Sequence, residues 1–153
     1  MCIRDRSIGF AEELSIRGFL QSHFIRQFGN SKKNIIFSVF GAAIIFGLLH
    51  FIKFDKGIYG ELSQFCFATF IGVTFGSILV LTKSIYPLII VHAIIDFVAE
   101  LDSTGLSLNA GPTEVMSIEN AILISLLTLP CLLYGIFLMK KYPLEENMKY
   151  SQV

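Results

Sequence analysis

Charged residues are scarce in this sequence. Of its 153 residues, 16% are Asp, Glu, Lys or Arg, 54% are hydrophobic, and the mean hydropathy is +0.67. About a quarter of the residues in an ordinary soluble domain are charged. A chain this short cannot enclose a core large enough to explain such a composition. We therefore expect much of its surface to face lipid.

Other common features are also absent. The formal net charge is zero, so no basic surface argues for binding to nucleic acid. The three cysteines, Cys2, Cys66 and Cys131, are isolated and form neither a CxxC pair nor a disulfide framework. Residues 1–7 contain three charges and no apolar run, so we do not expect them to be a signal peptide.

Long runs without a formal charge mark the candidate membrane spans. Three of them are 19, 21 and 19 residues long: Asn34–Ile52, Leu62–Thr82 and Ala121–Met139. At about 1.5 Å per residue, each can cross a hydrocarbon core about 30 Å thick. We interpret a fourth apolar run, Ser84–Leu101, as a membrane helix that carries His92, Asp96 and Glu100. The sequence predicts an all-α, polytopic membrane bundle of about four transmembrane helices.

The remaining segments complete this predicted topology. Residues 7–28 are expected to form an N-terminal amphipathic or partly inserted helix that ends at GNSKK. The turn at Lys83 is so short that the helices on either side should form a tight antiparallel hairpin, and 101–114 should be a polar loop. Ten of the twelve lysines and arginines fall in 1–33, at Lys83 or in 140–153. By the positive-inside rule, we expect an integral membrane protein with both termini in the cytoplasm.

Two adjacent glutamates and an arginine interrupt the apolar stretch FAEELSIRGF. On a helix, Glu13 and Arg17 are one turn apart and can pair. Glu12 points about 100° away from Glu13, so one glutamate can be held by the arginine while the other stays free. The alternative is a solvated helix end with a surface ion pair.

Two of the three histidines lie in or beside predicted spans, where ionisable residues are costly and usually face an interior cavity. His50 ends FGLLH, one turn after Phe46, and these two residues share a helix face. His92 and Asp96, in HAIID, are also one turn apart, and the carboxylate can orient the imidazole. The alternatives are an interfacial His50 and a simple helix–helix hydrogen bond at HAIID. We interpret His23 as a solvated or headgroup-facing residue.

Together, these positions place a carboxylate and two imidazoles on three different helices. In such a cluster the glutamate can accept a proton from water, and the imidazoles can orient that water or donate hydrogen bonds to a developing oxyanion. The same side chains are also common zinc ligands. The sequence contains no HExxH, so the usual argument for a zinc protease does not apply.

The three patterns, taken in order, resemble those of a known family. EELSIRG matches an EExxxR motif, FGLLH matches FxxxH, and HAIID matches HxxxN/D. This series resembles the CPBP family of CAAX proteases and bacteriocin-processing enzymes, also called Abi proteins, which includes the type II CAAX prenyl endopeptidase of eukaryotes. The resemblance covers about residues 8–100. It implies one intramembrane endopeptidase domain over 1–153, in a bacterial plasma membrane.

The resemblance also implies a role for each motif residue. Glu12 would be the general base that activates water, and Asp96 stands where the family has Asn or Asp. Arg17 and Phe46 would support the site. The partners would be the lipid bilayer and a peptide or prenylated protein substrate. For this family both a metalloprotease and a metal-free glutamate mechanism are argued; we favour the second, without a cofactor, and keep zinc as the alternative. The implied catalytic set is Glu12, Glu13, His50, His92 and Asp96.

Family members usually carry further membrane helices before the EExxxR motif, whereas eleven residues precede Glu12 here. We therefore expect the sequence to be truncated at its N-terminus. Two other functions stay open. A non-catalytic bacteriocin-immunity or scaffold protein can retain the motifs, and a small transporter or metal-binding membrane protein can use the same side chains along an ion path.

Overall fold

The computed structural model describes residues 9–51, 57–104 and 116–141. All regular structure in these residues is helical, and they contain no strand. The predicted all-α fold is therefore confirmed. The five helices are α1 over residues 9–28, α2 over Lys32–His50, α3 over Gly57–Thr82, α4 over Tyr86–Thr104 and α5 over Ile118–Lys141.

Three helices, α2, α3 and α5, are long and apolar enough to cross a membrane. Each exposes large apolar side chains, such as Phe37, Leu62 and Leu127. Water solvates such apolar surfaces poorly, whereas lipid solvates them well. These helices therefore indicate an integral membrane protein. The apolar part of α4, Tyr86–Val98, is shorter, and α4 is not among the three.

Local sequence signals determine where the helices end. Gly29, at φ 92°, ends α1 with a backbone conformation that favours glycine, and GNSKK is the predicted end of this helix. Ser31 then caps α2 by accepting a hydrogen bond from the backbone N–H of Asn34. Lys83, at φ 55°, turns the chain between α3 and α4, so the predicted short turn is confirmed.

Small residues let α2 and α3 pack closely in opposite directions. A Cβ atom added at Gly72 would lie 3.1 Å from that of Ala43, and one at Gly76 would lie 2.9 Å from Val39. Gly47, further along α2, lies against an earlier residue of α3, Thr69. Close approach through small residues is the usual basis of helix association in membranes.

α5 runs along α3 in the same direction. The hydroxyl of Ser63, near the start of α3, donates to the sulfur of Met116 just before α5. Further along both helices, the hydroxyl of Thr74 donates to the carbonyl of Cys131. A Cβ at Gly135 would lie 3.0 Å from the backbone of Thr74, so this crossing also depends on a glycine.

One contact between α2 and α5 shows which helix ends lie at the same end of the bundle. Lys32 Nζ donates to the carbonyl of Lys140 over 2.7 Å, so the start of α2 lies beside the end of α5. Since α3 and α5 are parallel, the chain between Thr82 and Ile118 must return across the bundle, and α4 lies on that return. The predicted tight packing of α3 with α4 is wrong beyond their short turn, because α2 and α5 contact α3 over most of its length.

Some helix boundaries differ from the ends of the uncharged runs in the sequence. α3 begins at Gly57, so Glu61 lies inside the helix and is buried. A charge ends an uncharged run without ending a helix, which explains this difference. α4 continues to Thr104, so residues 101–104 of the predicted loop are helical, whereas 105–114 lie outside the described residues. The predicted helical positions 7, 8 and 52 also lie outside the described residues.

Candidate active site

The central part of α1 is a π-helix over Leu14–Gln21, which continues from an α-helical turn at residues 9–13 and leads into Ser22–Phe28. π segments are rare and occur frequently at functional sites. This one begins directly after Glu13 and contains Arg17. The charged residues identified from the sequence therefore lie at an irregular part of the helix.

Glu13 and Arg17 form the predicted ion pair, and it is buried. Arg17 Nη1 donates to Glu13 Oε1 over 3.0 Å, and the two side chains are 1% and 0% exposed. Two charges removed from water in this way depend strongly on each other. The pair is therefore part of the interior of the protein and not a solvated helix end.

Aromatic rings hold the rest of the arginine. The Arg17 Cζ atom lies 4.3 Å from the ring centroid of Phe46 and 5.7 Å from that of Phe75. Among the described residues, Arg17 Nη2 and Glu13 Oε2 have no hydrogen-bond partner, so the rings stabilise the guanidinium by cation–π contact instead. A Cβ at Gly72 would lie 3.2 Å from Nη2, so the glycine makes room for this arrangement.

His92 of α4 joins the same carboxylate. Its Nδ1 lies 2.8 Å from Glu13 Oε1, and because an ionised carboxylate only accepts hydrogen bonds, Nδ1 is the donor. Asp96 Oδ1 lies 3.6 Å from the other ring nitrogen, Nε2, which is beyond hydrogen-bond distance. Glu13, on another helix, supplies the hydrogen bond that orients the imidazole, and Asp96 lies within ion-pair distance of its second nitrogen.

The cluster has a buried inner half and an accessible outer half. Nε2 of His92 faces Glu12 Oε2 at 3.5 Å, and Glu12 and Asp96 are 34% and 31% exposed. Gly9 lets the start of α1 approach this region, because a Cβ there would lie 2.7 Å from Asp96 Oδ2. In the outer half, the Glu12 carboxylate lies beside Nε2 of His92, and a hydrogen bond from Nδ1 to Glu13 holds the ring in place. This arrangement is suited to proton transfer.

Among the described residues, Phe46 connects His50 to the cluster. Its Nδ1 donates to the Phe46 carbonyl over 2.9 Å, and its ring lies 4.7 Å from the ring centroid of Phe46. The same Phe46 ring lies 6.0 Å from His92. Within the described part of the chain, no hydrogen bond or ion pair joins His50 to Glu12 or Glu13. In both His50 and His92, Nδ1 forms a hydrogen bond within the protein, so Nε2 is the ring nitrogen that can contact a substrate.

Other residues near the site were not identified from the sequence. Gln21 is buried, and its side-chain amide donates to the carbonyl of Gly76 over 3.0 Å. Its spacing was a usable signal, because Glu13, Arg17 and Gln21 recur every four residues in an apolar stretch. Phe75 lies in a uniformly apolar run that gives no such signal. His23, by contrast, is exposed and stacks on Phe19.

The arrangement of donors does not form a ready zinc site. Zinc takes about four nitrogen, oxygen or sulfur ligands at roughly 2.0–2.3 Å. Among the described residues, no group of three or more His, Cys, Asp or Glu side chains is arranged to hold a metal ion. Nδ1 of His92 and Nδ1 of His50 are engaged in hydrogen bonds within the protein.

The fold and the site define an all-helical integral membrane protein with an internal cluster of acids and imidazoles. A family model described as type II CAAX prenyl endopeptidase Rce1-like matches residues 7–98. This match covers more than half of the chain and includes the whole cluster, so the chain belongs to that family and has the general role of a CAAX-type intramembrane protease. No curated protein and no solved structure matches the chain.

Proposed function

We propose that the chain is an intramembrane endopeptidase in which Glu12 activates the attacking water beside Nε2 of His92. One observation carries this assignment. Glu13 is buried and already accepts hydrogen bonds from Arg17 and His92, whereas the adjacent Glu12 is one-third exposed and faces the second nitrogen of the same ring. Only Glu12 of this adjacent pair combines access for water with a neighbouring imidazole.

The reaction proceeds by general acid–base catalysis. Glu12 takes one proton from water while the water oxygen bonds to the carbonyl carbon of the scissile peptide. The carbonyl oxygen becomes an oxyanion, which protonated His92 stabilises by donating from Nε2. The C–N bond then breaks, and Glu12 passes its proton to the leaving amine. The second proton of the water, carried on the new carboxyl group, passes to the amine. The products are therefore a carboxylate and an ammonium group, and the enzyme returns to its starting state.

The substrate is a membrane-associated peptide, either prenylated at its C-terminal end or carrying an apolar leader. The family description supports a prenylated substrate. Exposed apolar side chains on the two helices that carry the cluster, such as Phe10 and Leu14 of α1 and Phe97 of α4, support an apolar one.

A cleavage assay in liposomes tests the proposal. Two peptides of identical sequence, one prenylated and one not, are incubated with the wild type and with Glu12→Gln. We expect the substitution to lower kcat about a hundredfold or more, the usual contribution of a general base. Glu119→Gln, at an exposed glutamate in the first turn of α5, is the matched control and should cleave normally.

A strong chelator separates the two mechanisms proposed for the family. Cleavage that continues in its presence supports water activation by glutamate. Cleavage that stops and returns with added zinc supports the metal-dependent alternative. A Glu12→Gln variant with wild-type kcat would refute the assignment of Glu12 as the base.

The buried half of the cluster favours one alternative function. Glu13, Arg17 and His92 join α1 to α4 through hydrogen bonds that would stabilise the fold without any catalysis. A non-catalytic immunity or scaffold protein needs no more than this. It predicts that the wild type cleaves neither peptide and that Glu12→Gln preserves the cellular phenotype.

A further inference from the structure

α3 contains none of the three motifs, yet it lines the inner side of the cluster. The ring of Phe75 lies 6.1 Å from that of His92 and 5.7 Å from Arg17 Cζ. One turn away, Gly72 lies against Arg17 Nη2. α3 therefore packs against Arg17 and His92 on the buried side of the site.

Gln21, the last residue of the π segment, links α1 to α3 by a hydrogen bond. Gln21 is 1% exposed, and its Nε2 donates to the Gly76 carbonyl over 3.0 Å. A Cβ at Gly76 would lie 2.6 Å from Gln21 Oε1 and 2.9 Å from Val39. A side chain at position 76 would therefore displace the amide from its place between α2 and α3.

We propose that Gln21 is a positioning residue for the reaction. By attaching the end of the π segment to Gly76, it sets the position of Arg17, which lies one turn earlier in the same segment. Its effect on cleavage rests on the proposed function, whereas its effect on the geometry of the cluster does not.

Two hydrogen bonds connect Arg17 to His92, so the position of Arg17 affects that of the imidazole. Arg17 Nη1 donates to Glu13 Oε1 over 3.0 Å, and the same oxygen accepts from His92 Nδ1 over 2.8 Å. A movement of the π segment along α3 therefore moves the imidazole that faces Glu12. Displacements of about 1 Å in such an arrangement can lower a rate by as much as a hundredfold.

The kinetic test compares three variants in the liposome assay. Gln21→Met removes the amide at similar volume, and Gly76→Ala displaces it. We expect each to lower kcat about tenfold or more with little change in KM, because the exposed outer half is unaltered. The double variant should lose less than the two single losses multiplied together, since both changes disturb the Gln21–Gly76 hydrogen bond. Gly41→Ala, whose added Cβ would meet Phe24 at an ordinary 3.5 Å, is the control.

A second measurement does not depend on activity. The chain has three histidines, so their ¹⁵N-labelled rings can be assigned by substitution and followed by NMR in micelles. We expect Gln21→Met to shift the ring signals of His92 and to leave those of the exposed His23 unchanged. Gln21→Leu, which also lacks a donor, replaces it if the methionine variant fails to fold.

The two measurements separate the two proposals. If the wild type cleaves nothing but the His92 signals move, the positioning role stands and the proposed function falls. If the His92 signals do not move, or if kcat is unchanged in Gln21→Met, the positioning role is refuted. A double variant that loses kcat in proportion to both single losses would also refute it, because the two residues would then act independently.

Discussion

At the scale of the residue, two adjacent glutamates have different environments. Glu13 is fully buried between Arg17 and His92, and Glu12 is partly exposed. The sequence predicted the pairing of Glu13 with Arg17 because a spacing of four depends only on helix geometry. It did not predict that Glu13 also holds His92, because that contact joins residues 79 positions apart and depends on how α1 packs against α4.

This difference predicts that substitution of Glu13 lowers stability most, whereas substitution of Glu12 mainly lowers activity. Glu13→Gln leaves Arg17 buried without a compensating charge, and we expect a loss of about 3–5 kcal/mol in the free energy of unfolding. Glu12→Gln should cost far less, because its carboxylate reaches solvent. Thermal unfolding in detergent micelles measures both changes, with Glu119→Gln as the exposed control. Equal melting temperatures for the Glu12 and Glu13 variants would contradict the buried location of the ion pair.

At the scale of the element, the helices were easier to predict than their irregularities. Length and apolar composition determine α2, α3 and α5, because a span needs about 20 apolar residues whatever its neighbours are. The π segment has no such local cause. Its ends coincide with tertiary contacts, namely the Glu13 carboxylate on His92 and the Gln21 amide on Gly76, and a single sequence does not show which contacts form.

The association of α3 with α5 gives a test at this scale. Gly135→Ala places a Cβ 3.0 Å from the backbone N and Cα of Thr74, which a side-chain rotation cannot relieve. We expect a loss of about 1–3 kcal/mol in the free energy of unfolding, the usual cost of overpacking. Gly41→Ala meets only the Phe24 ring at ordinary distance and should be neutral or slightly stabilising, since alanine favours helix.

Unfolding in micelles by heat measures both variants. A Gly135→Ala protein as stable as Gly41→Ala would show that α3 and α5 can separate without cost. That result would remove the glycine contact as a reason for the close approach of these two helices.

At the scale of the whole molecule, composition identified a membrane protein, and the contacts between helices indicate how the chain crosses. The basic residues cluster in alternate connections, which predicted cytoplasmic termini. Independently, the Lys32–Lys140 contact and the parallel course of α3 and α5 place the start of α2 and the end of α5 together. The helix directions require the chain to cross once more between α3 and α5, and the charge pattern predicts the same crossing.

We predict that α4 makes this crossing. Its 19 residues extend about 28 Å at about 1.5 Å per residue, close to the roughly 30 Å of a hydrocarbon core. The polar His92 is tolerated because it faces Glu12 and Glu13 of α1, and Asp96 because it lies beside His92 and against Gly9 of α1. In a background whose three native cysteines are replaced, Lys83→Cys and Ser117→Cys are treated with a membrane-impermeant thiol reagent. We expect Ser117→Cys to react in intact cells, and Lys83→Cys to react only after the membrane is opened. Reaction of both variants from the same side would mean that α4 does not cross, and the chain would then leave its two ends on opposite sides.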